Sequence, residues 1–214
     1  MTLRLTREAD QFAKKLSKLL NTTICDGVRL NAVVHPTKAV LVGYRISKTN
    51  YTPRYGVPVT CDGKKPSGYL TVSYKLTADD EGEHLMVVSS VTGYGLSADL
   101  ESTLLHYDYE RNKPDDYPEA HLQIEAQSPD WDLVCGRSGQ SRSLSKLHLP
   151  VGGRRYRPTL EDLIEFLVVE NIATARPDWR RHLKTTRDEF QRFQLGAAIR
   201  RDPETARAAL QALA

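Results

Sequence analysis

The chain has 214 residues, with 30 Lys and Arg against 27 Asp and Glu, a formal charge of +3. That charge is too small to argue nucleic-acid binding from totals. With 40% hydrophobic and 27% charged residues, the composition is that of a globular protein rather than of a disordered or fibrous one.

The first residues, Met1 to Arg7, contain no apolar segment of the signal-peptide kind, and no long apolar run follows. The expectation is a cytoplasmic protein with no membrane span. Residues 6–20 then read as an amphipathic helix. Ala9, Phe12, Ala13, Leu16, Leu19 and Leu20 recur at helical spacing, Thr6 stands as the N-cap, and Asn21-Thr22-Thr23 as the end.

From residue 28 the period becomes two. Strands are predicted over 28–34, 39–46, 69–76, 84–91, 104–110 and 121–126. Residues 47–68 are punctuated by Pro53, Gly56, Pro58, Gly63, Pro66 and Gly68 and read as loop. Successive strands with short links and no intervening helix predict an antiparallel meander.

From residue 159 the helical period returns. Thr159-Leu160-Glu161-Asp162 has the spacing of a capping box, Asp178-Trp179 opens a second helix, and Asp202-Pro203 a third. The fold class expected is α+β: an antiparallel meander sheet with an N-terminal helix and a C-terminal helical region. The division expected is 1–158 for the helix-plus-sheet domain and 159–214 for the helical region.

Two of the predicted strands carry polar residues in step. Strand side chains alternate faces, so His106, Asp108 and Glu110 share one side, and His121, Gln123 and Glu125 share one side of the next. Antiparallel pairing would gather them into one wall. Two imidazoles with a carboxylate to orient them suit acid–base chemistry, as metal-free RNA cleavage requires. In that reading His106 and His121 are the pair and Asp108 or Glu125 the orienter. A meander with one wet face gives the same alternation without chemistry.

A second constellation precedes the helix at 159. Residues 137–157 hold six Lys and Arg and no acid, and Gly152-Gly153 is followed by Arg154, Arg155, Tyr156 and Arg157. Arginine forks match phosphate and Tyr156 could stack on a base. The same stretch also suits a turn with solvated arginines. The basic run from Arg180 to Arg192 reads as the solvated face of an amphipathic helix. Cys25, Cys61 and Cys135 are far apart with no paired spacing, so reduced thiols are expected, and neither a metal nor a cofactor.

Tyr107-Asp108, Tyr117-Pro118 and His121-Leu122-Gln123 together resemble part of the TumE-type bacterial toxin family. The likeness spans only residues 107–123, and Gln123 stands where the family pattern has the second His of a His-x-His pair. The resemblance implies a bacterial antiparallel-sheet protein in a toxin–antitoxin or defence setting. The function expected is nucleic-acid engagement, RNA rather than DNA, as a metal-free endoribonuclease. The alternative is a non-catalytic interaction or regulatory subunit that meets a protein partner through its C-terminal helices. Convergence separates the two: the enzyme needs the arginines and both His in one cleft, the subunit needs an apolar helical patch left exposed.

Overall fold

Leu5, Ala9, Ala13, Leu16, Leu19 and Leu20 form one stripe, and all are buried. They build α1 (Leu3–Thr23) in the computed structural model, which describes residues 3–113, 117–137, 143–152 and 157–212. Because Leu5 extends the stripe, α1 begins ahead of Thr6, which is therefore inside the helix and not its cap. The helix also outlasts the expected stop. The hydroxyls of Thr22 and Thr23 turn back to the carbonyls of Lys18 and Leu19, at 2.9 and 2.7 Å, so these residues are accommodated in the last turn.

The strands are β1 (Leu30–Val34), β2 (Val40–Tyr44), β3 (Val57–Val59), β4 (Gly68–Ala78), β5 (Leu85–Gly95), β6 (Thr103–Glu110), β7 (Ala120–Ile124) and β8 (Leu149–Pro150). They form one antiparallel sheet in the order β1-β2-β4-β5-β6-β7-β8, with β3 paired to β4. The fold is the expected α+β meander. β3 arises within the stretch read as loop. Its Pro58 cannot donate to a ladder, which suits a short strand bonded on one side only. The β4–β5 turn is organised by Asp79, whose Oδ1 accepts the backbone N–H groups of Glu83 and His84 at 2.8 and 3.0 Å.

The remaining helices are α2 (Pro129–Gly136), α3 (Leu160–Val169), α4 (Trp179–Arg201) and α5 (Pro203–Gln211). α2 was not foreseen; Ser128 caps it by accepting from the Trp131 N–H. At α3 the Thr159 N–H and hydroxyl both donate to Asp162 Oδ2, at 2.8 and 2.9 Å. Asp178 does precede α4, but in a left-handed conformation with φ +62° and with no capping bond from its side chain. Asp202 caps α5 by accepting from Thr205 N–H at 3.0 Å.

One core joins these pieces. α1, the inner face of the sheet, Leu160, Leu163, Ile164 and Leu167 of α3, and Trp179 and Leu183 at the start of α4 pack in a single cluster. Residues 159–183 thus share the core of the sheet. Beyond Leu183 no residue of α4 is buried, nor is any of α5. Among the described residues no helix is long and apolar enough to cross a membrane.

Candidate functional site

The β6–β7 ladder sets Asp108 opposite His121 and His106 opposite Gln123. Alternation then places all four side chains on one face, while Tyr107, Tyr109, Leu122 and Ile124 turn to the helix side. His106 and His121 are thereby brought together on one carboxylate oxygen. Asp108 Oδ2 lies 3.6 Å from His106 Nε2 and 3.5 Å from His121 Nε2. The other oxygen, Asp108 Oδ1, is buried with no hydrogen-bond partner.

The two rings differ in access. His106 and Asp108 are 28% and 31% exposed at the side chain, so both are reachable from solvent. His121 is only 4% exposed, so this part of the polar wall is not the wet face of a meander. Its cover comes from further along the chain. His148 meets the His121 ring edge-on at 4.5 Å, and Tyr117 packs on His148 at 4.2 Å. β8 closes that edge of the sheet, pairing Pro150 with His121.

Both His121 nitrogens face oxygen: Nδ1 is 3.3 Å from the Pro118 carbonyl and Nε2 faces Asp108. The ring is held rather than presented. His106 Nε2 is 3.0 Å from Gln123 Oε1, and the Gln123 amide is oriented by donating through Nε2 to the Ser145 carbonyl at 3.4 Å. Neutral His106 therefore carries its proton on Nε2 and keeps Nδ1 as an acceptor. Of the two rings on this wall, His106 is the one that solvent reaches.

Glu125 lies just past β7 and is exposed; its backbone N–H donates to the Leu104 carbonyl at 2.8 Å. No hydrogen bond or ion pair joins its carboxylate to either ring among the described residues, so of the two carboxylates proposed as orienter only Asp108 is within reach of the rings. No group of three or more His, Cys, Asp or Glu among the described residues is placed to hold a metal ion.

The arginine cluster divides. Arg154, Arg155 and Tyr156 lie outside the described residues. Arg157 is described, and it does not approach the wall. Its guanidinium lies 5.2 Å over the Tyr109 ring and 5.5 Å over that of Phe190, on the helix side of the sheet. The expected convergence of Arg157 with both His is therefore corrected: strand alternation puts Tyr109 and Asp108 on opposite faces, and Arg157 follows Tyr109. Sequence reasoning also missed His148 and Tyr117. The aromatic positions were visible, but nothing local shows that they fold back over His121.

Thiol chemistry is disfavoured at Cys25 and Cys61. Burial, with Cys61 beside it, pushes the Cys25 thiol up to about 12. Burial and the neighbouring Asp62 raise Cys61 as well. Neither is poised as a thiolate. Comparison of the chain with protein-family models, with curated proteins and with solved structures finds no match.

Proposed function

We propose that this chain is an interaction subunit that engages a protein partner through α4 and α5, in the toxin–antitoxin or defence setting that the TumE-type resemblance implies. One observation carries the reading: Leu195, Ile199 and Leu210 are 57%, 47% and 69% exposed on helices that leave the core. Leu195 and Ile199 are one turn apart on the same side of α4. Arg192, Arg200, Arg201 and Arg207 flank them. An apolar stripe with basic borders suits an apolar groove with an acidic rim on another protein. The divergence of Arg157 from the His wall removes one argument for the enzyme.

The test is cross-linking in the native host, identification of the protein joined to α4 or α5, and titration of that purified protein with the full chain. Leu195→Asp with Ile199→Asp should weaken binding a hundredfold or more while melting as the wild type does. Equal binding by the double variant overturns the reading.

A second reading rests on the His106–Asp108 geometry. In it His106 takes the proton of an RNA 2′-hydroxyl, that oxygen bonds to the adjacent phosphorus as the bond to the 5′-oxygen breaks, and water protonates the departing 5′-oxygen; Asp108 orients the ring, and Arg154, Arg155 and Tyr156 hold the strand. It is tested by cleavage of mixed-sequence RNA without metal. Loss of activity in His106→Ala supports it, and an inert wild type overturns it.

A further inference from the structure

α2 buries none of its eight residues in its own chain. A helix that short is marginal in water, and helices in proteins draw their stability from packing an apolar face. α2 has such a face. Trp131 and Val134 lie one turn apart on the same side and are 42% and 51% exposed. At about 100° of rotation per residue, Asp130 and Asp132 fall on the two borders of that side. Arg137 follows the helix at its far end.

The stripe of α4 is the counterpart of this face. Leu195 and Ile199 are also one turn apart and exposed, and Arg192 and Arg200 stand beside them. Arg207 and Leu210 repeat the pattern on α5, which also buries nothing. Among the described residues no ion pair holds Asp130, Asp132, Arg192 or Arg200. The two faces therefore match in length, about one turn or roughly 5 Å. They are opposite in charge at their borders. The α2 face of a chain does not cover that chain's own α4, because both stay exposed in one molecule.

We infer that α2 of one copy docks on the α4 stripe of a second copy. This rests on the reading of α4 as a docking face and makes a second copy of this chain its partner. Trp131 and Val134 pack on Leu195 and Ile199, while Asp130 and Asp132 face Arg192 and Arg200. Each copy carries both faces, so a two-fold pair makes the contact twice. The doubling matters, since one short helix buries less area than a stable interface needs. Salt weakens the charged border and leaves the apolar contact.

Sedimentation velocity of the full chain over a hundredfold range of concentration tests this, with two charge-reversed variants. Asp130→Arg with Asp132→Arg changes exposed positions of α2, and Arg192→Asp with Arg200→Asp changes exposed positions of α4. The wild type should dimerise, and each variant alone should dimerise at least tenfold more weakly. An equal mixture of the two variants should recover the dimer, because both contacts of the mixed pair again join opposite charges. A change that merely disturbed α2 or α4 would not be rescued in this way. A wild type that is monomeric throughout overturns the proposal, as does undiminished dimerisation of either variant, or a mixture no more dimeric than its parts. The reading of α4 fails separately, on the titration of Leu195→Asp with Ile199→Asp against whatever protein cross-links to that helix.

Discussion

Asp108 stands across the β6–β7 ladder from His121, with its Oδ2 3.5 Å from the Nε2 of a ring that solvent hardly reaches. The relationship makes His121 part of the structure whatever else it does. Deleting the ring removes packing against His148 and leaves Asp108, whose Oδ1 is already unpartnered, with less compensation. His121→Ala should therefore cost about 1–3 kcal/mol of stability. His106→Ala, at a partly exposed position, should cost less than about 1 kcal/mol. Urea unfolding of both variants checks the order, and a His121→Ala midpoint equal to the wild type would show that the ring contributes nothing to the fold.

Gly93 pairs with His106 across the β5–β6 ladder. A Cβ there would meet the Leu105 carbonyl oxygen at 2.7 Å and His106 Cβ at 2.8 Å. The first of these is backbone, so the strands must separate to admit it. Gly93→Ala should destabilise by about 1–3 kcal/mol, the range of an overpacked interior. It should also shift the His106 ring resonances in an NMR spectrum. Unchanged resonances with unchanged stability would mean that the ladder is free to yield at this point.

Much of the fold was legible because it is written in local periods. The alternation of residues 69–76 and 104–110 and the stripe of α1 specify elements and faces with no knowledge of the rest. The shared face of His106 and His121 follows from the same rule. Their unequal burial does not, because the cover over His121 is brought by Tyr117 and His148, and burial of a ring by distant residues has no period. The direction of Arg157 was equally hidden. It stands just before α3 in a non-repeating segment, where no strand or helix fixes a face, and an aromatic surface on the far side of the sheet holds it. β3 escaped because Pro58 reads as a breaker, although one-sided pairing tolerates it.

The two buried thiols give a pH dependence with a definite sign. Cys25 is raised from an ordinary 9.0 to about 12 in the folded chain. The folded state thus favours the neutral thiol. Its contribution to stability is complete below about pH 9 and is lost as pH rises toward 12. Native protein should react with a thiol reagent at Cys135, the one thiol that is not buried, well before Cys25 and Cys61. Cys25→Ser, which removes the group, should flatten the loss of melting temperature above pH 9. Rapid labelling of all three thiols in the folded protein would contradict the burial that drives the shift.

Asp162 serves two helices at once, and this sets the direction in which α4 leaves the body. One oxygen takes the Thr159 N–H and hydroxyl at the start of α3, and the other takes Arg187 of α4 at 3.0 Å. Arg187 also reaches Glu165 at 2.7 Å. The Asp162 and Glu165 side chains are 45% and 44% exposed, so solvent screening keeps each ion pair within about 1 kcal/mol. The lost cap adds about 1 kcal/mol more. Asp162→Ala should thus destabilise more than Arg187→Ala, and only the second change should lose its effect in high salt. In Arg187→Ala the α3 cap remains, while the angle of α4 is freed. A subunit that presents Leu195 and Ile199 on a fixed helix should then bind its partner more weakly with little change in melting temperature. Hydrogen exchange would report the same change as faster exchange along α4 with α3 protected. Equal loss of protection in both helices would mean that Arg187 holds the core together rather than the helix angle.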